Sequence, residues 1–106
     1  MRQKVLDLLE RLRELGEWTV ETTEQALAIY KKGDSIFLVV HEASDPLRVE
    51  VGVGRDLARL LSEKYESVMP SRNMNAKEWV EVISSGQLSE DEIIDLIRAS
   101  WERATR

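Results

Sequence analysis

Five consecutive apolar residues, Ile36-Phe37-Leu38-Val39-Val40, constrain the fold more than any other feature of the chain. A run of this length, apolar on both faces, reads as a central strand of a sheet. Ala26–Lys31 supplies a second strand pattern. Lys32-Gly33-Asp34 between the two reads as a hairpin turn, because glycine accepts positive φ. Ser44-Asp45-Pro46 marks the next turn. Beyond it Leu47, Val49, Val51 and Val53 alternate with Arg48, Glu50 and Gly52, the pattern of a half-buried antiparallel strand. Trp18 and Val20, set between Glu17 and Glu21, add a further strand-like piece.

Helical spacing brackets this β-rich region. Val5, Leu8, Leu9, Leu12 and Leu15 form one apolar stripe, with Arg2, Lys4, Asp7, Arg11 and Glu14 on the other side and Gly16 as a stop signal. This helix is expected to pack on the sheet. A second helix is expected from about Arg55 to Tyr65, with Leu57, Leu60 and Leu61 facing inward, broken off at Met69-Pro70-Ser71. Trp79–Ile83 has the look of a short strand closed by Ser85-Gly86. Ser89 stands three residues before Glu92, a capping box that opens a last helix with Ile93, Ile94, Ile97 and Trp101 as its stripe. The order is a helix, three to four strands, a helix, one or two strands and a helix. No repeat, linker or low-complexity tract interrupts it, so residues 1–106 are expected to form one domain.

Composition narrows the class of function. Hydrophobic residues make up 42% of the chain and charged residues 33%, an ordinary globular balance. The absence of cysteine rules out disulfides, thiolate chemistry and cysteine zinc sites, and fits a cytoplasmic setting. No segment approaches the roughly 18 apolar residues of a membrane span, and the charged N-terminus does not read as a signal peptide. The net charge of −5 runs against the basic footprint usual for nucleic-acid binders. Its distribution is uneven, because residues 47–77 carry 6 basic and 4 acidic side chains between two acidic ends.

The residues for catalysis are sparse. His41 is the only histidine and sits at a strand end beside Glu42, where a structural role is expected. Glu90, Asp91 and Glu92 belong at a helix start, where the macrodipole favours acids, rather than in a metal cluster. Gly52 and Gly54 lack the third glycine of a dinucleotide fingerprint and are assigned to strand-end geometry. Trp79 and Trp101 are expected in the core or at its edge. Neither a catalytic residue nor a cofactor or metal site is expected.

A set of markers in the second half resembles the YjbR/MmcQ family. These are Pro70, Met74-Asn75, Lys77 and Trp79, then Ser85-Gly86-Gln87-Leu88-Ser89-Glu90-Asp91-Glu92, and Leu96-Ile97-Arg98-Ala99-Ser100-Trp101 at the end of the last helix. The resemblance implies a two-layer α+β fold with helices on one face of an antiparallel sheet, similar to type III secretion chaperones and often compared with frataxin. The order of elements read above agrees. The family description implies DNA binding, and the candidate contacts are Arg55, Arg59, Arg72, Asn75 and Lys77. Two positions where the family commonly carries cations are Ala76 and Glu78 here. Arg55 and Arg59 share a helix face, where pairing with Asp56 and Glu63 is the competing expectation. Asn75 is expected to cap its own loop. Two functions therefore stand open: a weak binder of double-stranded DNA through residues 55–77, or a protein-binding, chaperone-like adaptor that uses a sheet face or edge.

Overall fold

Each strand pattern becomes a strand, and the hairpins between them set the order of the sheet. The computed structural model describes residues 3–104. Arg2, assigned above to the polar side of the first helix, lies outside the described residues, as does the side chain of Lys4. Helix α1 spans Gln3–Leu12, followed by β1 (Thr19–Thr22), β2 (Leu27–Lys32), β3 (Ser35–His41) and β4 (Arg48–Gly52). Helix α2 (Arg55–Lys64) precedes β5 (Val68–Pro70) and β6 (Trp79–Ile83), and α3 (Glu90–Arg103) closes the order. The strands form one antiparallel sheet in the order β1-β2-β3-β4-β6-β5. Gly33, at φ 62°, makes the tight β2–β3 turn that glycine permits. The Ile36–Val40 run is central, with β2 on one side and β4 on the other.

One face of the sheet carries the helices. Leu38, Val40, Val49, Val51, Val80 and Val82 are buried in a single core with Val5, Leu8 and Leu12 of α1 and Ile93, Ile94, Ile97 and Trp101 of α3. Trp101 meets Phe37 edge-on, with centroids 4.9 Å apart, and the Lys32 ammonium lies 4.7 Å from its ring centre. Beside it, the buried Ser100 hydroxyl donates to the Phe37 carbonyl (2.6 Å) and accepts from the Gly52 N–H (2.9 Å). The Ser-Trp pair thus docks α3 through two hydrogen bonds of Ser100 and the ring packing of Trp101. Arg11 reaches Asp91 at 2.6 Å and ties α1 to the start of α3, where Ser89 and Glu92 form the expected capping box.

Three local expectations need correcting. Leu60, expected to face inward, is 56% exposed, and α2 buries Ala58 and Leu61 instead. The packing surface under α2 is the narrow β5–β6 edge, so its buried stripe is narrower than the apolar pattern. The segment read only as a break at Met69-Pro70 includes edge strand β5, whose proline suits a ladder edge. The alternation also reads Glu50 as the polar side of a half-buried strand, yet Glu50 is fully buried.

Candidate functional site

The second face of the sheet explains that burial. Side chains alternate along a strand, so Glu50 of β4 and Glu81 of β6 point away from the helices. The two residues are direct cross-strand partners. Like charges in that position repel, and both carboxylates have no solvent exposure. Neutralising groups surround them. Arg48 donates to Glu81 at 2.9 Å, and Arg72 donates to the same carboxylate through Nε and NH2, both at 3.0 Å. His41 Nε2 lies 2.7 Å from Glu50 Oε2, and with Glu50 ionised it is the donor.

Residues 71–78 fold over this face. Leaving β5, the chain leans inward across β6 until it reaches Glu50 on β4. Ser71 Oγ donates a short hydrogen bond to Glu50, and Asn73 donates twice, from its backbone N–H (3.1 Å) and from Nδ2 (2.6 Å). Ser71 Oγ also accepts from the Met74 N–H at 3.0 Å. Burial pushes the Glu50 carboxyl upward, but hydrogen bonds from Ser71, Asn73 and His41 outweigh it and hold the group below the ordinary carboxylate range. The Arg72 guanidinium is raised by its hydrogen bonds to Glu81.

His41, Glu50 and Glu81 bring one nitrogen and two carboxylate oxygens within 4.8 Å, a set that could hold a metal ion. The sequence offered no sign of it, because the three residues come from three strands. Its chemistry is that of a closed ion-pair network. Glu50 accepts from Ser71, from Asn73 twice and from His41; Glu81 accepts from Arg48 and twice from Arg72. The carboxylate oxygens already accept from His41 Nε2 and from the Arg48 and Arg72 guanidinium groups, so a cation would have to break these hydrogen bonds.

The predicted contact residues separate into two groups. Arg55 and Arg59 of α2 and Lys77 of the 71–78 segment line one open groove of about 420 Å³, together with Ala58, Ser62, Glu63, Pro70 and Ala76. No ion pair holds Arg55, Arg59 or Lys77 among the described residues, so the expected pairing with Asp56 and Glu63 does not form. Glu78, adjoining Lys77, is taken by Arg103 at 2.9 Å. The other two candidates are engaged elsewhere. Arg72 grips Glu81, although its side chain remains 60% exposed. Asn75 caps its loop as expected, accepting from the Lys77 N–H at 3.0 Å while its carbonyl accepts from Glu78 and Trp79. The Trp79 indole lies across Gly52, where an added Cβ would come within 2.6 Å of the ring. That contact, more than strand-end geometry, demands glycine at 52.

Comparison with known proteins agrees with this architecture. The family model described as YjbR matches residues 13–103. The chain is 32% identical over 74 residues to the uncharacterized protein YjbR of Escherichia coli strain K12, covering 70% of this chain and 63% of that protein. Against the uncharacterized protein YbdF of Escherichia coli O157:H7 it is 29% identical over 73 residues, covering 69% and 60%. The matched segment is thus less than two thirds of the length of these relatives. Among solved structures, a Deinococcus radiodurans protein with a DUF419 domain superposes with a TM-score of 0.80 at 22% identity, covering 92% of this chain and 75% of its own. A Pseudomonas syringae protein superposes with a TM-score of 0.77 at 17% identity, covering 99% and 100%. The chain belongs to the YjbR family.

Proposed function

We propose that this YjbR-family domain is a non-catalytic, cytoplasmic binding module that holds the phosphate backbone of duplex DNA weakly in the groove between α2 and residues 71–78. One observation carries the reading: Arg55, Arg59 and Lys77 converge on that groove with no ion pair of their own among the described residues. Unpaired cations on an open surface suit phosphate oxygens, which position a duplex without reading its sequence. Among the described residues Glu63 is the one acid that lines the groove against these three cations, and Glu78, adjoining Lys77, is neutralised by Arg103.

Three phosphate contacts imply a log–log salt slope of about −2.7 and roughly a 40-fold loss of affinity between 50 and 200 mM salt. The test is fluorescence anisotropy of labelled duplex at low salt, with wild type beside Arg59→Ala/Lys77→Ala. The double variant should bind more weakly and lose about two units of slope, one for each contact removed. Absence of binding at tens of micromolar protein, or a double variant equal to wild type, would remove this reading.

A protein partner is the second reading, and a different feature favours it. Among the described residues β1 pairs only with β2, and Thr19–Thr22 are all exposed, so that its outer edge is open there. The net charge of −5 also suits a protein partner better than DNA.

A further inference from the structure

We infer that Glu50 and Glu81 form a buried clamp that positions residues 71–78 and so sets Lys77 opposite Arg55 and Arg59. The inference rests on the groove being the binding surface proposed above. Its starting point is that two adjacent buried carboxylates are an expensive way to fill a sheet face, since apolar residues of similar size often serve as well or better. Their hydrogen bonds show where the ordering goes. Glu50 takes three bonds from Ser71 and Asn73, and Glu81 takes two from Arg72. This segment has little apolar burial to anchor it, because Arg72 and Asn73 are exposed and Met74 is only half-buried.

From the clamp the geometry passes along the chain. Met74 is fixed by Ser71 Oγ, the Asn75 carbonyl and side chain then close a turn over Lys77 and Glu78, and Lys77 emerges at the groove wall facing α2. Helix α2 packs on β5 and β6, and its start is tied to Glu78, whose carbonyl accepts from the Val53 and Gly54 N–H groups at 3.0 Å each. The two groove walls thus share the anchor at Glu78, and what differs is the hold of the carboxylates on residues 71–73. The clamp governs only the wall that carries Lys77, which makes Glu50 and Glu81 positioning residues rather than contacts.

Glutamine variants give the clamp and plain electrostatics opposite signs. Glu50→Gln and Glu81→Gln each remove a negative charge, and Glu81→Gln also weakens the hold on two arginines, so charge alone predicts tighter duplex binding. The clamp predicts weaker binding, with about one unit of salt slope lost as Lys77 leaves its place. Binding by either folded variant that is unchanged or tighter overturns the clamp. Should the glutamine variants fail to fold, Ser71→Ala/Asn73→Ala keeps both carboxylates and the net charge, and it should show the same loss. Hydrogen exchange on the ligand-free full chain supplies the second readout. In Glu50→Gln the amides of residues 73 and 74, and in Ser71→Ala/Asn73→Ala the amide of residue 73, should exchange faster while β4 and β6 keep their protection; unchanged exchange at these amides overturns the clamp. Should wild type bind no duplex, this exchange result still decides the clamp, and only the DNA reading falls.

Discussion

The two faces of the sheet solve the same problem with opposite materials. On the helix side, Val49, Val51, Val80 and Val82 are covered by the helices, with α3 over β4 and α2 over β6, and removed from water as hydrocarbon. On the loop side, their immediate neighbours Glu50 and Glu81 are equally removed from water and are made tolerable by Arg48, Arg72, His41, Ser71 and Asn73. An apolar face accepts any well-packed cover, whereas a charged face accepts only a cover whose donors meet its acceptors. The loop side is thus the more demanding of its partner segment, and that segment carries one wall of the groove.

The sharpest way to break this comparison is at the helix face. Trp101→Ala should cost about 3–5 kcal/mol in urea unfolding, because the indole packs on Phe37 and fills the α3 stripe. A loss below about 1 kcal/mol would mean that this side is not the principal core.

Next comes the loop face, which should differ in pH dependence as well as in size. Glu50→Gln should cost about 1–3 kcal/mol at neutral pH by leaving buried donors without acceptors. Glu50 is held below its ordinary range in the folded state, so its contribution is present above the unfolded carboxylate value and disappears as pH falls through the lower folded value. Melting temperatures measured from pH 7 into the acid range should therefore show wild type and Glu50→Gln converging in acid. A constant gap would mean that the Glu50 charge contributes nothing. Trp101→Ala should show no such convergence.

The smallest effect is expected where neither kind of cover exists. Leu60→Ser, on the exposed side of α2, should change stability by less than about 0.5 kcal/mol. A cost above 1 kcal/mol would restore Leu60 to the core from which the structure removes it.

Much of the molecule was legible because its determinants are local. The Ile36–Val40 run, the Gly33 turn, the Val49–Val51 alternation and the Ser89–Glu92 capping box each fall within a few residues, where periodicity and turn chemistry act. The resemblance carried by Met74-Asn75, Trp79 and Ser100-Trp101 pointed to the right family, and the fold gives the last pair its reason in the docking of α3. Glu50 was read as the polar side of its strand because alternation distinguishes two faces without telling what covers the second, and Glu81 drew no reading of its own.

What the sequence determined by itself was the type and order of the elements, edge strand β5 excepted, and the set of cations available between residues 55 and 77. Tertiary structure alone decided which of those cations are free. Arg72 is spent on Glu81, while Arg55, Arg59 and Lys77 meet across a groove with no ion pair among the described residues. The reason is physical: ion pairing depends on distance in space, and β4, β6 and the segment that crosses them bring together charges from 9 to 33 residues apart in the chain.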